Sequence, residues 1–231
     1  MIFRQLFDPE TSTYTYLLGC DQTLRALLID PVASEVEGYQ SLIQSTGLTL
    51  VYTLETHVHA DHISGSGLLR EHLNSKSVVH RDSGALCADL LVTDGVPLQL
   101  GSLEIRVLHT PGHTAGCVSY LMHDRVFTGD SLLIGGCGRT DFQQGDPGRL
   151  YDSIHHKLFT LPPDTLVYPG HDYQGNTVST IRQELHKNPR LGGGKSREEF
   201  IAIMNGLDLP YPRHIDAAVP ANLACGRALQ G

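Results

Sequence analysis

Short β-branched and aromatic runs open the chain. Residues 2–7, 13–18 and 25–29 are separated by Asp8-Pro9 and by Gly19-Cys20-Asp21, which predicts three strands joined by turns. Helical spacing follows. Val36, Tyr39 and Ile43 share one face, Ser34 and Glu37 have the spacing of a capping box, and Gly47 ends the run. Residues 48–54 are apolar and β-branched, a buried strand, and Ile63, Leu68, Leu69 and Leu73 predict a helix after it. A short strand is expected over 77–80. From Val96 the pattern turns antiparallel, with strands over 97–100, 103–108, 117–122 and 125–127 and a tight turn at His123-Asp124. Asp146-Pro147 starts a helix with Leu150, Ile154 and Leu158 on one face. A strand over 165–168 precedes two more helix starts, Thr180 with Gln183 and Ser196 with Glu199. Beyond Pro210 the chain is rich in Pro and Ala, and irregular structure is expected.

Strands and helices thus alternate in two successive sets, each with a β-rich opening. That favours an α+β fold in which two mixed sheets pack face to face with helices outside, an αββα sandwich. Residues 1–231 are expected to form one domain, with a short helical and irregular extension from about residue 175. At 40% hydrophobic and 18% charged residues, a chain of 231 residues buries a core without staples. The net charge of -8 and the lack of a basic stripe exclude a nucleic-acid partner. Five scattered cysteines without a CxxC pair do not form a disulfide framework, so a reducing compartment is expected. No apolar run reaches the length of a membrane span, and the opening residues lack signal or transit composition, so a cytoplasmic protein is expected.

The chemistry concentrates at strand ends. After the strand over 48–54 comes Thr56-His57-Val58-His59-Ala60-Asp61-His62. Imidazole and carboxylate ligands suit zinc or iron, whereas calcium and magnesium take all-oxygen sets. Thr110-Pro111-Gly112-His113-Thr114 sits in a turn between two strands, Phe127-Thr128-Gly129-Asp130 ends a strand in a carboxylate, and Tyr168-Pro169-Gly170-His171 ends another in an imidazole. Each side chain is aimed outward from a rigid frame. Residue types alone permit two zinc ions with a bridging hydroxide. They equally permit a two-His-one-carboxylate iron site with open positions.

The order His-x-His-x-Asp-His, then His, Asp and His, resembles the metallo-β-lactamase superfamily over nearly the whole chain, and that resemblance implies the αββα sandwich. In that superfamily His57, His59 and His113 would hold one metal and Asp61, His62 and His171 a second, with Asp130 bridging. A second stretch, Gly135-Gly136-Cys137-Gly138-Arg139-Thr140-Asp141-Phe142-Gln143-Gln144-Gly145, resembles the signature of the persulfide dioxygenases. His171-Asp172-Tyr173, Asn188-Pro189-Arg190, Val219-Pro220-Ala221-Asn222 and the opening Phe3-Arg4-Gln5-Leu6-Phe7-Asp8 are similar to the same family.

This second resemblance implies a single Fe(II) per chain on His57, His113 and Asp130, with dioxygen as co-substrate. The substrate would be glutathione persulfide, converted to sulfite and glutathione. His59, Asp61, His62 and His171 are then left to orient the ligands by hydrogen bonds or to line an empty second metal position. Arg139 and Tyr173 would grip the tripeptide, with Arg213 and Asn222 as weaker candidates. Cys137 is expected to be a packed residue rather than a nucleophile. A homodimer is the family expectation. Two other functions stand beside this one: a glyoxalase II-like hydrolase of glutathione thioesters, and a non-catalytic metal-binding or sensing module. The short chain after His171 weighs against the hydrolase, whose relatives carry a longer helical region for glutathione.

Overall fold

The computed structural model describes residues 1–226. Two six-stranded sheets run in strict chain order. The first holds β1 (Ile2–Asp8), β2 (Thr13–Gly19), β3 (Arg25–Ile29), β4 (Thr49–Leu54), β5 (Lys76–His80) and β6 (Leu90–Val92). Its first three strands are antiparallel, and β3 to β6 run parallel. The second holds β7 (Pro97–Leu100), β8 (Leu103–His109), β9 (Val118–Met122), β10 (Arg125–Gly129), β11 (Leu166–Pro169) and β12 (Ser179–Thr180). Only its β10–β11 pair is parallel.

Period-2 alternation explains how the sheets meet. Along β8, Ile105 and Val107 are buried while Glu104 and Arg106 face solvent. Tyr16, Leu27 and Leu54 of one sheet pack against Ile105, Tyr120 and Phe127 of the other. Buried tyrosines need partners for their hydroxyls. Tyr120 donates to the Glu55 carbonyl at 2.8 Å and Tyr16 to that of Pro169 at 2.5 Å. Both bonds cross between the sheets at strand ends that carry the candidate site.

Helices cover both outer faces, which completes the αββα sandwich. α1 (Val36–Thr46) and α2 (Ser66–Leu73) place Val36, Tyr39, Ile43 and Leu69 on Leu17, Leu28 and Leu50. α3 (Pro147–Ser153), α4 (Ile181–Lys187) and α5 (Arg197–Asn205) place Leu150, Ile181 and Phe200 on Val126 and Val167. The caps follow the sequence: Asp146 accepts from Arg149 N–H, Thr180 from Gln183 N–H, and Ser196 with Glu199 forms a capping box.

Four details depart from expectation. Ser34 does not cap α1, because Ala33 N–H bonds to the Ile63 carbonyl and holds Ala33–Glu35 in a 3₁₀ turn. The helix expected from Ile63 begins at Ser66, since residues 55–65 form the metal loop and Ile63 faces outward. The tail is not wholly irregular. α6 (Ile215–Leu223) forms despite an internal Pro220, because Ile215, Ala218, Ala221 and Asn222 dock into the protein. Residues 227–231, the end of that tail, lie outside the described residues. Finally, the cysteines do not all stay free: Cys87 and Cys225 form a disulfide. Docking of α6 brings their Cα atoms to 5.9 Å across a sequence separation of 138, which no local spacing reveals. Cys20, Cys117 and Cys137 are free and buried. Among the described residues no helix is long and apolar enough to cross a membrane.

Candidate metal centre and substrate cleft

The metal loop starts where β4 ends, and Asp30, the residue after β3, fastens it. Asp30 accepts from the Thr56 N–H and the Thr56 hydroxyl, both at 2.7 Å, and lies 3.1 Å from His59 Nε2. It does so at a φ of 50°, a left-handed conformation that aspartate tolerates better than most residues. The side-chain atoms of His57, His113 and Asp130 then converge within 4.8 Å of one another.

Hydrogen bonds set the tautomers of both imidazoles. Thr56 gives its hydroxyl proton to Asp30, so toward His57 Nδ1, 3.0 Å away, it acts as acceptor. His57 therefore carries its proton on Nδ1 and keeps the Nε2 lone pair. A backbone carbonyl accepts only, so the 2.6 Å contact of His113 Nδ1 with the Arg139 oxygen gives His113 the same tautomer. Burial, then His59 and His113, push the His57 pKa well below the imidazole range and keep the ring neutral. A metal ligand needs that form. Burial alone would raise the Asp130 carboxyl, but His171, then His113 and His57, hold it well below the usual carboxylate range. Two imidazole nitrogens and one carboxylate oxygen fit a ferrous ion with open positions.

The other candidates lie beside this triad. His171 spans two carboxylates, Nδ1 at 2.7 Å from Asp130 Oδ1 and Nε2 at 3.0 Å from Asp61 Oδ2. That leaves Asp130 Oδ2 to face His113 Nε2, at 3.6 Å. His59, Asp61 and His62 form a second close group. His59 Nδ1 and His62 Nε2 are buried without partners. Asp61 Oδ2, however, is taken up by His62 Nδ1 at 2.7 Å, His171 Nε2 at 3.0 Å and the Thr13 hydroxyl at 3.2 Å. Three donors fill that oxygen, so a cation beside this group would take the other carboxylate oxygen of Asp61.

Above the triad opens a cleft of about 840 Å³. Arg139, Arg190, Arg213, His214 and Tyr173 line it. Arg139 binds Asp141 through Nε and Nη2, both at 2.7 Å, and the Pro210 carbonyl through Nη1 at 2.8 Å. Two of its five N–H groups remain. Arg190 donates to the Cys137 carbonyl at 2.9 Å, and Arg213 is exposed on the cleft wall. The Tyr173 ring is 75% exposed and stacks over His171, with centroids 6.1 Å apart. Cys137 is packed, its thiol pushed up to about 11 by burial. Asn222 does not reach the cleft. Its amide is committed behind the metal loop to Ser64 N–H and to the carbonyls of His59 and His62.

Sequence reasoning missed Asp30, Thr13 and Arg190 as parts of this assembly. Asp30 carried the same signal as Asp130, a carboxylate directly after an apolar strand. Thr13 sits inside β2 and carried none.

Comparison with known proteins agrees with this geometry. Residues 8–171 match the family model of the metallo-beta-lactamase superfamily. Persulfide dioxygenase ETHE1, mitochondrial, of Homo sapiens is 52% identical, covering 98% of this chain and 89% of that protein. The crystal structure of ETHE1 from Myxococcus xanthus superposes with a TM-score of 0.96 at 56% identity, covering 98% of this chain and 100% of that one. A probable metallo-hydrolase of Burkholderia pseudomallei is 32% identical, covering 98% of this chain and 94% of its own. With the signature loop bonded to His113 of the candidate triad, the chain belongs to the persulfide dioxygenase family of the metallo-beta-lactamase superfamily.

Proposed function

We propose that the protein is an iron(II)-dependent persulfide dioxygenase that oxidises glutathione persulfide with dioxygen and water to sulfite and glutathione. A single iron would be held by His57 Nε2, His113 Nε2 and one oxygen of Asp130. The observation that carries this reading is the two-nitrogen, one-oxygen triad at the floor of a cleft lined by three arginines. Bound iron would supply sulfur affinity and the redox electrons for dioxygen. The remaining work falls to the chain itself.

Glutathione presents carboxylates, and guanidinium groups suit their planar geometry. Arg190, Arg213 and the two free N–H groups of Arg139 hold the tripeptide at the cleft wall, and Tyr173 packs over it at the rim. The persulfide end then points to the triad. His171 bonds to Asp130 Oδ1, and Oδ2, which faces His113 Nε2, is the oxygen that would ligate. That leaves positions for both sulfur and dioxygen.

The test is oxygen uptake and sulfite formation on glutathione persulfide, with hydrolysis of a glutathione thioester followed in parallel. Sulfite should form in step with the oxygen consumed. Thioester cleavage without oxygen uptake overturns the reading in favour of a hydrolase, which a second metal on Asp61, His62 and His171 would then serve.

A further inference from the structure

We propose that the C-terminal segment is a redox-sensitive latch on the metal loop, with Asn222 as its positioning residue and the Cys87–Cys225 disulfide as its fastening. Asn222 is 6% exposed and spends its whole amide on the loop. Its oxygen accepts from Ser64 N–H at 2.8 Å, and its nitrogen donates to the carbonyls of His59 at 2.9 Å and His62 at 2.8 Å. These bonds fix the backbone directly after His57. Gly226 presses the segment down so closely that a Cβ there would stand 2.0 Å from the Ser64 oxygen. Between segment and loop is a void of about 10 Å³, bordered by Glu55, His59, Asn222 and Cys225. That is room for one water at most.

The helix itself is intrinsically weak. α6 has no side-chain N-cap and contains Pro220. The disulfide supplies the missing constraint by joining Cys225 to the loop after β5. Cys87 is the more accessible sulfur, since Cys225 is 4% exposed. A low-molecular-weight thiol attacks the Cys87 sulfur, and Cys225 leaves as thiolate. A second thiol then attacks the mixed disulfide, so two thiols become one disulfide and the protein gains two thiols. Glutathione is such a thiol. In this part the inference rests on the proposed function, which releases glutathione from this same protein. Reduction frees the segment, loosens the loop and speeds loss of the metal.

The test uses the full chain loaded with iron(II) under anaerobic conditions. After equilibration with oxidised glutathione, denatured protein should titrate as the three free thiols of Cys20, Cys117 and Cys137. All five cysteines titrating there overturns the latch. Reduction with a phosphine should raise the rate of iron loss to a chelator by about tenfold to a hundredfold, the usual effect of releasing groups that orient ligands. Cys87→Ser should lose iron at the reduced rate with or without the phosphine. Asn222→Ala should do likewise, and the visible spectrum of its cobalt(II) form should change, which a remote loss of stability would not produce. Equal iron loss from oxidised and reduced protein overturns the latch but leaves the functional reading standing. Failure of either state to bind iron overturns both.

Discussion

The Arg139 carbonyl oxygen lies 2.6 Å from His113 Nδ1, so the loop carrying the signature arginine also sets the tautomer of a candidate metal ligand. The backbone performs one task while the side chain turns toward the cleft. The fit is close: a Cβ on the neighbouring Gly138 would stand 2.8 Å from His113 Nδ1 and 2.7 Å from the Asp130 carbonyl.

Gly138→Ala should therefore displace the His113 ring. Metal affinity is expected to fall by about tenfold to a hundredfold, as for other losses of ligand orientation. Metal titration against a competing chelator measures it, with circular dichroism confirming the fold. Gly136→Ala is the control, because a Cβ there meets nothing within 4 Å.

Asp130 and His62 should differ sharply. Asp130→Ala removes the carboxylate of the triad and leaves His171 without its 2.7 Å partner, so bound metal should be lost. His62→Ala removes only a donor to Asp61, at 2.7 Å, and most of the metal should stay. Parallel metal analysis decides it, and equal loss in both variants counts against a single-metal centre.

Arg139→Ala should raise the apparent KM for glutathione persulfide by about tenfold to a hundredfold, the loss of one charge-assisted pair. Metal content should not change, since the guanidinium offers no acceptor atom. Removing Arg139 also strands the Asp141 carboxylate beside the cleft, where it repels the substrate's carboxylates. Arg139→Ala combined with Asp141→Ala should accordingly bind better than Arg139→Ala alone. If the double variant is no better, the loss comes from a direct contact only.

His80 predicts an acid limb in stability. Burial, then His109, lower its pKa to about 4 from an ordinary imidazole value near 6.5. His109 stacks on it with ring centroids 3.9 Å apart. Between those values the unfolded chain binds a proton that the folded protein does not. Stability should thus fall as pH drops from about 6.5 to about 4, by at most about 1.4 kcal/mol per pH unit. Urea unfolding of the parent and of His80→Gln across that range checks it, and the variant should show the shallower slope.

The sandwich was legible because strands and helices alternate in two successive sets, each with a β-rich opening, and the two six-stranded sheets follow that order. That His57, His113 and Asp130 would come together was legible too, since His113 and Asp130 each follow a strand, next to glycine. Which of the seven candidates hold a metal was implied only by the family resemblance. What stayed hidden depends on contacts between distant segments. Pro220 argued against a helix that docking stabilises, and Asn222 resembled a substrate residue although its amide faces the back of the metal loop. The Ser34–Glu37 spacing was sound locally but lost to the Ala33–Ile63 backbone bond. Arg139 was legible as a residue of the cleft, whereas its pairing with Asp141 depends on how the loop folds.

The measurement closest to the central claim is metal analysis of anaerobically purified protein, made on the parent and on Asp130→Ala. A single iron per chain is expected in the parent and essentially none in the variant. Two zinc ions per chain in the parent, with oxygen uptake on glutathione persulfide absent, would contradict it.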